Sequence, residues 1–211
     1  MNLQITAAEK MLALSITFTF LLLGARVIYA HELTYIFYVW NLFLAIIPVW
    51  FAGRLRKRDK IDIKSLFIMA CWLVFFPNAP YVITDIFHFH QRPGVPLWYD
   101  LLLVLSAAWS GLMAGFISLH FVDGFLHNYA GKKWRVALTL MFLFAASAGI
   151  YIGRFLRLNS WNVVTKPFKL VRLGINYTFN PFDHTEAWGF CIACTIFLAL
   201  LYYSKAWVKA E

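Results

Sequence analysis

The chain has 211 residues and a net charge of +9, with 62% hydrophobic residues, 14% charged and a mean hydropathy of +0.67. Soluble domains carry about a quarter charged residues, so this composition excludes an ordinary soluble fold and predicts an integral membrane protein. The basic residues sit in loops between apolar runs, which points to the lipid bilayer and anionic lipid headgroups as partners and away from nucleic acid.

Six runs approach the roughly 20 apolar residues that cross the hydrocarbon: 11–30, 33–52, 65–83, 97–121, 134–153 and 187–204. They predict an all-α membrane bundle, a single polytopic domain over 1–211 with both termini on one side. The first run, behind Glu9 and Lys10, is long enough to span, so it is taken as a span rather than a signal peptide cleaved after Ala30. The second carries Asn41 and Pro48; helix packing is the expected role of the amide. Between the second and third runs, "GRLRKRDKIDIK" holds Arg54, Arg56, Lys57, Arg58, Lys60 and Lys64. With Lys132, Lys133 and Arg135 between the fourth and fifth, this cluster places both loops and both termini in the cytoplasm. Arg154, Arg157, Lys166, Lys169 and Arg172 pull the other way, being fewer per length of loop.

The third run ends in "FFPNAPYVITDIFHFH". Pro77 and Pro80 remove the helix bonds to the carbonyls of Leu73 and Phe76 and push Phe76 and Ala79 away from α geometry. A third helix broken at Pro77 and Pro80 is therefore expected, with Asn78 able to satisfy a freed backbone group. At about 1.5 Å per residue Asn78 lies about 21 Å beyond Lys64, inside a hydrocarbon core about 30 Å thick. Exposed backbone at that depth is tolerated only in protein or beside a wet cavity. If an α-helix resumes, Tyr81, Asp85 and His88 share one face. Asp85 and His88 could then share a proton or a divalent metal, and the cofactor is otherwise unassigned.

The fourth run opens with "PLWYD". Asp100 shares a face with Ala107, Gly111 and Ala114, and the Gly111–Gly115 spacing allows close helix approach. Asp100 should thus point into protein, where Arg154 or Arg157 could neutralise it. The fifth run exits as "GRFLRLNSWN", delivering Arg154, Arg157, Asn159, Ser160 and Trp161 to the same membrane face as Asp85, Asp100 and Arg26. After it, "TKPFKLVRLGINYTF" alternates basic and apolar stripes and reads as an interfacial amphipathic helix. Cys191 and Cys194 form a CxxC within the sixth run with no second pair beside it. Packing is the expected role of those cysteines and of Cys71, rather than redox or metal chemistry.

The blocks "WNLFLAIIP", "FFPNAPYVITD", "PLWYD" and "GRFLRLNSWN" resemble the bacterial membrane-protein family catalogued as domain of unknown function 1361, over about 40 to 190. The resemblance implies a polytopic protein of the bacterial cytoplasmic (inner) membrane and supplies no activity. It puts Asn78, Tyr81, Thr84, Asp85, Asp100, Arg154, Asn159, Ser160 and Trp161 at motif positions. Where an aspartate is expected after the NSW tryptophan, this chain has Asn162.

The leading functional expectation is an enzyme acting at the extracytoplasmic face on an anionic, lipid-like substrate. Asp85, His88 and Asp100 would be its acid–base groups. Asn78, Tyr81, Thr84, Arg154, Arg157, Asn159, Ser160 and Trp161 would bind the substrate. A small-solute or ion transporter, with the broken third span as its gate, is the alternative. A noncatalytic assembly or lipid-binding module is the next.

Overall fold

The computed structural model describes residues 6–92, 94–158, 165 and 167–208. The described residues form helices and connecting turns without a strand. Six helical stretches are long and apolar enough to cross a membrane, and the protein is a multi-pass membrane protein. The chain divides into two compact units, Met1–Phe125 and Leu126–Glu211.

The first unit contains α1 (Ala7–Ala30), α2 (Phe37–Leu55), α3 (Ile63–Phe75), α4 (Asn78–Tyr81), a 3-10 helix (Val82–His88) and α5 (Leu97–Leu126), which ends at the boundary between the units. Thr6 and Glu9 form a capping box that starts α1, and Asp62 with Ser65 does the same for α3, satisfying N–H groups that a helix start leaves open. α5 is 30 residues long, about 45 Å at 1.5 Å per residue, so it outruns the hydrocarbon.

Polar side chains stitch α1 to α5. Ser15 Oγ lies 2.8 Å from Ser110 Oγ, Thr19 Oγ1 donates to Ser106 Oγ at 3.1 Å, and Tyr99 O–H donates to the Leu22 carbonyl at 2.9 Å. Residue numbers rise along α1 as they fall along α5, so the two helices run antiparallel. The opposite side of α1, with Met11, Leu14, Phe18, Leu21 and Ile28, is exposed and apolar. In a membrane protein such a stripe faces lipid.

The third span breaks differently from expectation. α3 ends at Phe75, yet Phe76 keeps right-handed helical angles (φ −54°, ψ −40°) instead of leaving them. The Ala79 N–H, which an α-helix would give to Phe75, goes to the Phe76 carbonyl at 3.2 Å. The orphaned Phe75 carbonyl is taken by Asn78 Nδ2 at 2.9 Å. Asn78 therefore serves the Phe75 carbonyl, a backbone group freed by the 3-10 tightening. The chain tightens to 3-10 geometry and continues in the same helical stretch, Ile63–His88.

α5 approaches this break closely. A Cβ built on Gly111 would lie 2.6 Å from the Ala79 carbonyl oxygen and 2.8 Å from Val82 Cβ. No residue larger than glycine fits there unless the helices part. α2 packs along α3, α4 and the 3-10 helix.

The second unit contains α6 (Lys132–Arg154), α7 (Pro167–Phe179), a 3-10 turn (Pro181–His184) and α8 (Thr185–Val208). α6 packs on α8, where Thr195 Oγ1 donates to Ser147 Oγ at 3.2 Å. α7 is the amphipathic helix expected there. Leu173 and Tyr177 line a small cavity shared with Phe144, Tyr151 and Trp188, while Phe168, Val171, Ile175 and Phe179 are exposed. The cysteines of the CxxC are free.

Candidate functional site

At one end of the first unit, the last turns of α1, the first turns of α2 and α5, and the 3-10 helix bring buried polar groups together. Arg26 is one of them. It stands alone in a long apolar run, and its side chain and that of Asp100 are 0% and 2% exposed. Arg26 Nε donates to Asp100 Oδ1 at 2.7 Å and Nη2 to Oδ2 at 3.3 Å. This two-point pairing uses one edge of the guanidinium. Asp100 also lies in the first turn of α5, where the positive end of the helix dipole favours a carboxylate.

The opposite edge of the guanidinium is unsatisfied: Arg26 Nη1 is buried and has no hydrogen-bond partner among the described residues. Arg26 lines a cavity of about 430 Å³ with Ala25, Tyr29, Val95, Pro96 and Tyr99. Its Cζ is 5.1 Å from the centre of the Tyr35 ring. Tyr35 is 1% exposed and adopts φ +67°, a left-handed conformation that costs a non-glycine residue of order 1 kcal/mol or more.

A second focus lies on the 3-10 helix. Asp85 is 1% exposed and accepts a hydrogen bond from Asn41 Nδ2 at 2.8 Å, so Asn41 positions a carboxylate instead of merely packing. Three residues per turn put Asp85 and His88 on one edge of the 3-10 helix and leave Tyr81 off it. The expected α-helical face of Tyr81, Asp85 and His88 does not form. His88 is exposed, with its ring 5.3 Å from that of Phe37, which is in turn 6.0 Å from Tyr35. A chain of rings, His88, Phe37 and Tyr35, thus runs from one focus to the other. Thr84 is buried, and its hydroxyl donates to the Tyr81 carbonyl at 2.7 Å.

The cation on Asp100 is Arg26, not the Arg154 or Arg157 expected from the order of spans. Arg154 ends α6, and Arg157 is exposed with φ +53°; both belong to the second unit. Asn159, Ser160 and Trp161 lie outside the described residues. No three His, Cys, Asp or Glu side chains among the described residues gather as a metal cluster. A metal at Asp85 and His88 would therefore draw its remaining ligands from water or substrate. The sequence did signal Arg26, since a lone ionisable residue in a span marks a buried partner. Nothing in the sequence marked Tyr35 or Arg92, which lie in connections.

A family model described as "Protein of unknown function (DUF1361)" matches residues 40–201. No curated protein and no solved structure matches the chain.

Proposed function

Because the chain belongs to this family of proteins of unknown function, membership brings no activity, and we propose from the geometry a membrane enzyme acting on an anionic, lipid-like amphiphile. The observation that carries this is Arg26, a wholly buried guanidinium lining a cavity with one donor edge still open. A buried N–H without an acceptor costs about 1–3 kcal/mol, so an oxyanion there recovers what the fold leaves unmet. The cavity borders Ala25, which lies on the lipid-facing stripe of α1. A substrate can therefore reach Arg26 from within the leaflet.

Asp100 holds Arg26 in place and joins Asp85 and His88 as the acid–base candidates. His88 is reachable from solvent, while Asp85 is fixed by Asn41. Asn78, Tyr81 and Thr84 are the remaining substrate-binding candidates of the first unit. The basic loop at Arg54–Lys64 lies at the opposite end of the spans from Arg26. By the positive-inside rule this supports both termini inside and the site at the outer face, in the bacterial cytoplasmic membrane that the family resemblance implies.

The test incubates protein in nanodiscs with a bacterial lipid extract and follows both retained lipid and new products by mass spectrometry. Wild-type protein should enrich anionic lipids and generate a product that His88→Ala abolishes while retaining the lipid. Enrichment with no product in any extract reduces the proposal to a binding module. No enrichment removes it.

A further inference from the structure

The residues around Tyr35 specify the charge of the ligand. Resting on the anionic-amphiphile assignment above, we infer that Arg92, Tyr35 and Arg26 form a three-point site for a singly charged phosphodiester headgroup. Arg26 Nη1, the Tyr35 hydroxyl and Arg92 Nε are each buried without a hydrogen-bond partner among the described residues. They come from three separate places, α1, the turn before α2, and the connection between the 3-10 helix and α5. Yet both guanidinium carbons lie near one ring, at 5.1 Å for Arg26 and 5.2 Å for Arg92.

Two cations facing one aromatic ring are each attracted by its π-electrons, but they repel one another in a medium of low dielectric. Asp100 neutralises Arg26. Arg92 has no ion pair among the described residues. Two guanidiniums and one carboxylate leave a single positive charge, which one negative charge balances. A phosphodiester has that charge and two free oxygens to receive donors. A phosphomonoester carries roughly 1.5 to 2 negative charges at neutral pH and would be over-charged here.

Of the three residues, Arg26 lines a cavity of about 430 Å³, in the range of small-ligand sites, which run from about 300 Å³ upward, so on the Arg26 side of the Tyr35 ring there is room for more than a bare ion. Ala25, Val95 and Pro96 give it an apolar wall, and Tyr29 and Tyr99 add rings with polar tips. That mixture suits the region where a phosphodiester meets its glycerol and acyl chains.

The experiment uses the full chain in phosphatidylcholine nanodiscs containing a minority of phosphatidylglycerol, phosphatidic acid or oleate, with bound lipid counted by native mass spectrometry. Phosphatidylglycerol should be enriched over phosphatidylcholine about tenfold, the scale of one charge-assisted hydrogen bond. It should also exceed phosphatidic acid and oleate. Arg92→Gln should bring the enrichment close to parity, and Arg92→Lys and Tyr35→Phe should reduce it partway. Matching melting temperatures would establish that these variants fold.

Preference for phosphatidic acid or oleate overturns the single-charge phosphodiester assignment while leaving an anionic substrate in place. Wild-type enrichment in Arg92→Gln overturns the three-point site and the charge count that rests on Arg92, while leaving an anionic substrate in place. No anionic preference in the wild type overturns the underlying functional assignment as well. Soluble glycerophosphoglycerol is the final arm. If it displaces the lipid at equal concentration, the site takes free diesters and the lipid source is wrong.

Discussion

Two guanidinium–carboxylate pairs stand at opposite ends of the first unit and share almost nothing but their chemistry. Arg26 and Asp100 are 0% and 2% exposed, whereas Arg58 and Asp62 are 25% and 28% exposed. Each arginine leaves one buried nitrogen without a partner among the described residues, Nη1 of Arg26 and Nε of Arg58. The rest of the Arg58 side chain reaches solvent, so water can compensate much of its unmet bonding. Arg26 has no such access, and it lines a cavity. Burial thus turns the same pair from a helix-start ornament into a demand for a ligand.

The largest effect expected is on the buried pair. Arg26→Gln strands Asp100 as an uncompensated buried charge and should cost about 3–5 kcal/mol, read as a large fall in the melting temperature of protein in nanodiscs. Replacing both partners, Arg26→Met with Asp100→Leu, should return most of that stability, because a buried pair exchanged for apolar side chains is often close to neutral. The double variant should fold and yet lose its enrichment of anionic lipid. If it retains that enrichment, Arg26 is only structural.

Next in size is Gly111→Ala. Its Cβ would meet the Ala79 carbonyl oxygen of α4 at 2.6 Å and Val82 Cβ of the 3-10 helix at 2.8 Å, so α5 must move off both, a strain of about 1–3 kcal/mol. Gly115→Ala makes only an ordinary contact with Ala79 Cβ at 3.4 Å and should change stability much less. Comparing the two melting temperatures tests how much closer α5 comes to the break at Gly111 than at Gly115. A loss at Gly115 equal to that at Gly111 would contradict the packing described.

Six spans were legible because long apolar runs report burial in lipid directly. The glycines of α5 announced a close approach, and the lone acid in its first turn announced a partner. The partner itself was not legible. Arg26 lies 74 residues from Asp100, and span order alone made Arg154 and Arg157 equally eligible. The prolines at 77 and 80 signalled a break but not its form, since 3-10 tightening depends on where the Ala79 N–H finds an acceptor. Pro48, inside α2, interrupts no helix boundary at all. Tyr35 and Arg92 carry no periodic signal, and only the tertiary fold brings them to one ring.

The smallest effect belongs to the exposed pair, and it is sharpest as a pH dependence. The Asp62 carboxyl is held below its ordinary value, first by the Ser65 backbone N–H, against an opposing push from burial, and further by the Ser65 and Arg58 side chains. Its native pKa is therefore lower than its unfolded one, so its contribution is complete above the ordinary carboxylate value and fades as pH falls through the native one. Asp62→Asn should lower the melting temperature slightly at neutral pH, and the difference from wild type should vanish in acid. Arg58→Ala should produce a smaller version of the same curve, because the backbone bond to Ser65 remains. A difference that grows on acidification would mean that Asp62 stabilises α3 in its protonated form, and the contrast with the buried pair would then no longer be one of solvent access.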